Sequence, residues 1–322
     1  MLEMRQANLK RIRDIGTKSL LFILLCIFGW ESYQRSAMTL CIQEPLGQKL
    51  IKIPRRDAGR LDAFFRDIFA WDGIVFSLTG CKPLSLAVHG IGIFDHGYKP
   101  THLIQNVRAL RRFKIGWKTW EKYSHLFKND RLIFWKENHR FKDQFMCLCL
   151  ADKVQLAQVI KEHERDFNAV LQKDKIDPEE IIQECLDKDV VEDVLRGNHA
   201  LLGIMLGYGR ENAWFFENQR GKELTKPNPC VWTSEELKKI YKGHLGQKNM
   251  IFQQYEMEDV LVPRFAGYPD SAESKELKKK YTAAKEALDR FYDGKNFLEA
   301  TLSLFTCGPQ ILDLFANYQC QM

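Results

Sequence analysis

No two cysteines in this sequence have the Cys-x-x-Cys spacing, although the chain contains nine cysteines. That absence argues against zinc-ribbon and thioredoxin-like motifs. A strong charge of either sign is also missing, since the formal net charge of the 322 residues is only +6. Half of this excess positive charge lies in the first eighteen residues, which contain five cationic and two acidic side chains. The rest of the chain is close to neutral, so we expect no nucleic-acid partner.

Long uncharged runs are missing as well, and the longest apolar stretch has eleven residues. A membrane-spanning helix needs about twenty, because eleven residues cover only about half of a ~30 Å hydrocarbon core. No catalytic, nucleotide or metal motif stands out, and we expect no cofactor and no metal. The composition, with 45% hydrophobic and 28% charged residues, is that of an ordinary folded protein.

The eleven-residue stretch follows a cationic flank, which is the arrangement of a signal sequence. Lys18 can snorkel, and Trp30 and Tyr33 suit the far membrane interface. We therefore predict an uncleaved signal-anchor in residues 1–36 that contacts the lipid bilayer. The alternatives are a poorly marked signal peptide, which implies secretion, and a buried core helix. The predicted membrane residues are Leu20, Leu21, Phe22, Ile23, Leu24, Leu25, Cys26, Ile27, Phe28, Gly29 and Trp30.

The charge bias predicts a single-pass topology with the N-terminus in the cytoplasm and the remainder outside it. That remainder, residues 42–322, is predicted to be a helix-rich globular body, with a possible internal boundary near 221–232, where two prolines fall. Pairs of strand patterns without βαβ alternation predict an α+β fold that is predominantly helical and has a small antiparallel sheet.

Local patterns place the main elements of this body. Alternating residues predict a hairpin from 74–79 and 84–89, and a second strand pair from Leu132–Trp135 and Phe145–Leu150. Cys147 and Cys149 would point to one face of their strand. Residues 32–55 are expected to be irregular apart from a short strand at Leu50–Ile53. Capping residues predicted at helix starts include Asp57, Asp152, Asp177, Asn198 and Ser271.

Two places are candidate ligand sites. Gly207, Gly209 and Arg210 resemble a phosphate loop, but a helix rather than a strand precedes them, which favours a helix–turn–helix corner. His89, Asp95 and His96 lie in or beside a glycine-rich loop, where the alternatives are a ligand site and a solvated surface loop. A small-molecule site would require the loop at 90–97 and the Gly207–Arg210 corner to share one cleft.

Two further interpretations concern reactive cysteines and surface cations. Cys81 with His89, and Cys230 with His244, are formal pairs for a hydrolase, but neither has a local signature. Five cations at helical spacing form a basic stripe, which is either a contact surface for anionic groups or a solvated helix face. These residues are Arg108, Arg111, Arg112, Lys118 and Lys122.

Three segments in this order resemble a family of uncharacterised proteins from chlamydia-like bacteria. They are Leu78-Thr-Gly-Cys-Lys-Pro-Leu-Ser85, Gly116-Trp-Lys-Thr-Trp-Glu-Lys-Tyr123 and Leu201-Leu-Gly-Ile-Met-Leu-Gly-Tyr-Gly-Arg-Glu-Asn-Ala-Trp214, and the resemblance covers roughly residues 60–220. It implies an envelope-associated or exported protein of a Gram-negative-type cell. It implies no activity and no catalytic residue.

Taken together, these patterns favour a membrane-anchored or exported envelope-associated protein that acts by binding or has a structural role, with a possible protein partner. Enzymatic activity is not the favoured interpretation. The alternatives are an exported hydrolase with a Cys/His site and a secreted effector. A hydrolase requires His89, His96, Cys81 or Arg210 to converge in a pocket.

Overall fold

The structure is a computed structural model of the chain. It describes residues 26, 29–44, 47–90, 100–127, 129–137, 145–188, 190–220, 230–233, 235–236, 262–263 and 265–308. A helical segment at 29–35 leads into the first strand.

The described elements are mostly helices, accompanied by two small antiparallel sheets. The strands are β1 (Ala37–Glu44), β2 (Gly47–Pro54), β3 (Leu84–Gly90), β4 (Leu132–Glu137) and β5 (Phe145–Asp152). The helices are α1 (Arg55–Asp72), α2 (Val75–Leu78), α3 (Pro100–Tyr123), α4 (Lys153–Glu162), α5 (Glu164–Leu171), α6 (Pro178–Asp187), α7 (Val191–Val194), α8 (His199–Met205), α9 (Arg210–Gln219), α10 (Ala272–Tyr292) and α11 (Phe297–Cys307), and a 3-10 turn at Ser124–Phe127 follows α3. The predicted α+β, predominantly helical fold with a small antiparallel sheet is confirmed.

Strands β1 and β2 form a hairpin in which Ala37 pairs with Pro54 and Glu44 with Gly47. Its buried side chains alternate, because successive residues of a strand point to opposite faces. The buried members are Leu40, Ile42, Ile51 and Ile53. The prediction that residues 32–55 are irregular apart from a short strand is therefore wrong. Because β1 begins at Ala37, the folded body includes residues between the two predicted units, 1–36 and 42–322.

The last described helix closes onto this hairpin. The Cys41 amide donates to the Glu299 carboxylate at 2.8 Å, and the Gln43 amide donates to the Ser303 hydroxyl at 2.9 Å. These bonds satisfy amides on one edge of β1 that would otherwise be open to another chain. The first and last described parts of the body are thus held together.

The second sheet has the order β3-β5-β4, with β5 in the centre. Alternate residues of β5 face two different cores. Met146, Leu148 and Leu150 pack into the first core, whereas Cys147 and Cys149 pack into the second. The three-stranded sheet is therefore a partition between two hydrophobic clusters.

We call the first cluster the aromatic core, since many of its buried members carry rings: Phe64, Phe65, Phe69, Phe76, Phe113, Trp117, Trp120, Phe127, Tyr281, Phe291, Phe297 and Phe305. We call the second the cysteine core, whose members include Cys147, Cys149, Cys185, Leu156, Ile160, Phe167, Ile181, Val191, Leu201, Ile204 and Met205. Tyr208 packs against both cores. Val231 and Trp232, the last two residues of the candidate boundary at 221–232, are buried in the aromatic core together with residues of α1 and α3.

Four helix starts form as their capping residues predict. The fifth prediction is wrong, because α1 begins at Arg55 after Pro54 and Asp57 lies in its first turn instead of capping it. The Asp152 side chain accepts from the amides of Val154 and Gln155. The other three caps each accept one amide hydrogen bond in the same way, and they are Asp177, Asn198 and Ser271. These bonds satisfy amides that have no partner inside the helix.

One predicted hairpin is wrong. Residues Val75–Leu78 form the short helix α2 instead of a strand, and all four of their side chains are buried. β3 pairs with β5 and not with this segment. The second strand pair is confirmed, since β4 and β5 are antiparallel neighbours.

Candidate functional site

The glycine corner between α8 and α9 is built around two left-handed backbone positions. Gly207 has φ +74° and Gly209 has φ +84°, values that favour glycine. A Cβ on Gly207 would lie 2.8 Å from Pro83 Cδ and 3.1 Å from the Tyr281 hydroxyl. The Tyr281 hydroxyl also donates to the Gly207 carbonyl at 2.7 Å. The corner is therefore a tight packing junction.

The N-terminus of α9 is occupied by a carboxylate from the chain itself. Glu273 accepts from the amides of Glu211 at 3.3 Å and Asn212 at 3.2 Å, and from the Asn212 side chain at 3.2 Å. These amides are the groups that a phosphate would use at a helix start. Arg210 donates to both oxygens of Asp166, at 2.6 and 2.9 Å. The geometry thus favours the helix-corner interpretation over a phosphate loop.

Asn212 links the corner to α10. It is fully buried, and its amide nitrogen donates to the Tyr208 carbonyl at 3.1 Å. Its oxygen accepts from the Tyr268 amide at 2.9 Å and the Ser274 hydroxyl at 3.1 Å. Buried amides need such partners, because an unpaired polar group costs about 1–3 kcal/mol.

The three segments that carry the family resemblance contain residues that pack elements of the fold together. The Lys82-Pro83 turn packs against Gly207, so the first and third segments meet at the corner. In the second segment, a Cβ on Gly116 would lie 2.5 Å from Phe64 Cβ, so this glycine allows α1 and α3 to approach closely. Trp117 and Trp120 are buried in the aromatic core.

His89 and the glycine corner lie at opposite ends of β3. Pro83, directly before this strand, contacts the corner, whereas His89 is six residues farther along. At the rise of an extended strand this separation is about 20 Å. Asp95 and His96, with the rest of the loop at 91–97, lie outside the described residues. The structure therefore does not bring His89 together with Gly207, Gly209 and Arg210.

Cys81 does not have the environment of a nucleophile. It is buried, and burial raises the pKa of its thiol to about 11. A reactive cysteine needs a lowered pKa. The groups that counteract the burial are Thr79, Lys280 and Lys82, and none is a histidine. Cys230 is exposed, but His244 lies outside the described residues.

The basic stripe on α3 is exposed at all five positions, Arg108, Arg111, Arg112, Lys118 and Lys122. Its last member bonds to α1, with Lys122 Nζ 2.9 Å from Asp57 Oδ2. Asp57 also accepts from the Tyr123 hydroxyl at 2.8 Å and from Arg60 at 3.3 Å. Burial alone would raise the pKa of Asp57, but the bonds from Lys122 and Tyr123 outweigh it and lower the pKa below its ordinary value. We call this set the Asp57 cluster.

The cysteine core contains a group of potential metal ligands. A carboxylate oxygen of Glu137 and the sulfurs of Cys147 and Cys149 all lie within 4.8 Å of one another. Burial first, and then the neighbouring Cys147, raise the pKa of Cys149 well above its ordinary value. Burial and the Glu137 charge raise the pKa of Cys185 to about 12. The shared face of Cys147 and Cys149 is predictable from their spacing, but the approach of Glu137 depends on the strand register.

One open surface groove lies beside α10. It has a volume of about 440 Å³ and is lined by Trp232, Glu236, Lys278 and Thr282, among others. Lys278 donates to Glu236 at 2.8 Å, so these two charges neutralise each other, while Lys279 and Glu286 line the same groove. The groove therefore presents no free charge of its own at that pair.

Of the predicted membrane residues, Leu20–Leu25, Ile27 and Phe28 lie outside the described residues. Cys26, Gly29 and Trp30 are described, and all three are exposed. No helix in the described part of the chain is both long enough and apolar enough to cross a membrane.

Comparison with known proteins finds no match: no protein-family model, no curated protein and no solved structure is similar to this chain. The resemblance to a family from chlamydia-like bacteria therefore stays a prediction, and function has to be argued from the chain's own residues.

Proposed function

We propose that this chain is a membrane-anchored protein whose body acts by binding or has a structural role. The stretch Leu20–Trp30 would lie in the bilayer, the N-terminus in the cytoplasm and the body on the other side. The proposal keeps the lipid bilayer as partner of the N-terminal segment and adds a protein partner for the body.

The observation that carries this proposal is an exposed aromatic pair where the apolar stretch enters the body. Trp30 is 65% exposed and Tyr33 is 51% exposed, and their ring centroids are 6.2 Å apart. Aromatic residues with a polar atom are enriched at membrane–water interfaces. Their exposure also opposes the alternative that this end of the stretch is a buried core helix.

Tyr33, one ring of the aromatic pair, is held against the body by Arg55. The Arg55 guanidinium lies 4.9 Å from the centre of the Tyr33 ring. Its Nε donates to the Ser36 hydroxyl at 3.2 Å, and its amide donates to the Ser36 carbonyl at 3.0 Å. Tyr33 and the start of α1 would therefore face the same membrane surface, with an exposed cation beside the ring.

The Cys/His hydrolase has less support. Its candidate thiol Cys81 is buried and has a raised pKa. A binding role needs no such group. The secreted effector shares the N-terminal sequence features and differs in fractionation, since it leaves the membrane.

Membrane association is tested on the full chain with a charge in the apolar stretch. Leu24→Arg places a guanidinium in the hydrocarbon region, which costs about 3 kcal/mol at the centre of an inserted helix. The wild-type chain should sediment with membranes, resist high salt and alkaline carbonate, and dissolve in detergent. Leu24→Arg should move to the supernatant.

Leu50→Arg is the matched control, because Leu50 is 69% exposed on β2 and its replacement leaves the core intact. This variant should remain in the membrane pellet. Recovery of intact wild-type chain from the cytosol would contradict the proposal, and recovery from the medium would favour the secreted alternative.

Topology is tested by labelling intact cells with a membrane-impermeant maleimide. Cys230 is exposed on the body and should react from outside the cytoplasmic membrane once the outer envelope is permeable. Cys230→Ser should lose that part of the label. Labelling of Cys230 only after lysis of the cytoplasmic membrane would place the body inside and overturn the proposed orientation.

A further inference from the structure

The cluster in the cysteine core results from strand register. Glu137 of β4 pairs with Cys147 of β5, and Trp135 pairs with Cys149. Because side chains alternate along a strand, the two cysteines and Glu137 share one face of the sheet. This is the face that packs against α4, α6 and α8.

All members of the cluster are removed from water. Cys149 is fully buried, Cys147 is 5% exposed and Glu137 is 8% exposed. Cys185 of α6 is 2% exposed and lies in the same core, outside the group of three ligand atoms. Two thiols and one carboxylate therefore converge from two strands, and a third thiol belongs to the same core.

Glu137 is an unusual residue for this place. It accepts a hydrogen bond from the Val191 amide at 2.7 Å, but no lysine, arginine or histidine among the described residues forms an ion pair with it. A buried carboxylate is costly unless it is paired or coordinates a metal. Packing alone explains three buried cysteines, since a free thiol behaves as a small apolar group, but it does not explain the acid among them.

We propose that Glu137, Cys147 and Cys149 form a structural Zn²⁺ site, with Cys185 of the same core as the fourth ligand once the ion is bound. Zn²⁺ takes thiolate and carboxylate ligands, usually four in tetrahedral geometry. With Zn–S bonds near 2.3 Å, two bound sulfurs lie about 3.8 Å apart, which fits within the cluster. Each thiol that becomes a ligand releases its proton to solvent. The ion would join β4 and β5 to α6.

The test is metal binding by the full chain, purified in detergent with a reducing agent and stripped by a chelator. Zn²⁺ is titrated in competition with a chromophoric chelator, and Co²⁺ is added separately to detect thiolate-to-metal charge-transfer absorption. We expect about one Zn²⁺ per chain and a charge-transfer band with Co²⁺.

Cys149→Ser should weaken Zn²⁺ binding by more than the roughly 10- to 100-fold that loss of an outer-shell partner costs, and should lower the intensity of the Co²⁺ band, because one thiolate ligand is removed. Cys81→Ser is the matched control, because Cys81 is a buried thiol outside the cluster. It should bind like the wild type. Glu137→Gln keeps an acceptor for the Val191 amide and removes the charge, and it should bind at least tenfold more weakly.

Wild-type chain that binds much less than one Zn²⁺ at high affinity overturns the proposal, even if a variant fails to fold. Equal loss of binding in Cys149→Ser and Cys81→Ser also overturns it, because the effect would then follow from any removed thiol. Both outcomes are independent of membrane association, so failure here leaves the proposed anchor unaffected.

Discussion

The aromatic core and the cysteine core lie on the two faces of one sheet and are stabilised in different ways. In the aromatic core, Phe65 contacts the rings of Phe64, Phe69, Trp120 and Phe305 at centroid distances of 5.2 to 5.9 Å. Phe167, buried equally in the cysteine core, forms no ring contact with any described residue. The aromatic core is stabilised by contacts between rings, whereas the cysteine core depends on aliphatic packing.

The buried carboxylates differ in the same way. Asp57, at the edge of the aromatic core, is paired with Lys122 and Arg60. Glu137, in the cysteine core, has thiols and a backbone amide as its neighbours. The Asp57 carboxylate is neutralised by its ion pairs and stabilises the fold. The Glu137 carboxylate lies beside thiols, which together with it are ligands that a metal cation would bind.

The largest expected effect is that of removing a ring from each core. Phe65→Ala should lower the free energy of unfolding by about 5 kcal/mol, and Phe167→Ala by about 3 kcal/mol. The two residues are equally buried, so the difference measures the ring contacts. Urea unfolding of both variants checks the values. Equal losses would mean that the aromatic contacts add nothing beyond burial.

The next effect concerns the glycine corner, where Tyr208 joins the two cores. Gly207→Ala combines a left-handed backbone with a clash against Pro83, and should cost about 3 kcal/mol. Gly197→Ala is the matched control, since Gly197 has φ +69° but no atom within 4 Å of an added Cβ. It should cost about 1 kcal/mol, the backbone part alone. Thermal unfolding midpoints that fall equally would remove the steric explanation.

Local sequence signals predicted the elements that depend on few neighbours. Asp152, Asp177, Asn198 and Ser271 all cap their helices, because a capping side chain bonds to amides two or three residues away. Such interactions join residues that are close together in the sequence.

Non-local pairing explains the wrong predictions. Alternation from Ile74 to Leu78 suggests a strand with one buried and one exposed face. In the structure both the odd- and the even-numbered residues of this segment are buried, so the alternation does not mark an exposed face. The hairpin at 37–54 was missed because the connection Glu44-Pro-Leu-Gly47 has no Asn-Gly or Asp-Gly turn signal. Its burial depends on α11, more than 200 residues away in the chain.

The candidate site also depends on contacts between residues that are distant in the sequence. Cys147 and Cys149 share a face by spacing alone, whereas Glu137 joins them only through strand register. Cys185 shares their core only through helix packing. Conversely, the sequence alone suggests that Arg210 and the amides of α9 are available to bind a ligand. In the fold, Arg210 donates to Asp166 and the amides donate to Glu273.

The smallest effect tests the paired carboxylate of the aromatic side. Asp57→Asn removes a charge that accepts from Lys122 and Tyr123, so it should cost about 2 kcal/mol at pH 7. The pKa of Asp57 is lowered in the folded chain, so its contribution is complete above the ordinary value of 3.8 and is lost as the pH falls through the folded value. The difference between wild type and variant should therefore shrink below about pH 4.

Asp62→Asn provides the control on the same helix. Asp62 pairs with Arg66, but its side chain is 36% exposed, compared with 13% for Asp57. An exposed pair is worth less than about 1 kcal/mol, so this variant should be nearly as stable as the wild type at pH 7. Urea unfolding between pH 3 and pH 7 measures both variants. If the loss in Asp57→Asn were the same at both ends of that range, the carboxylate charge would not be what holds α1 to α3, and the contrast with Glu137 would rest on burial alone.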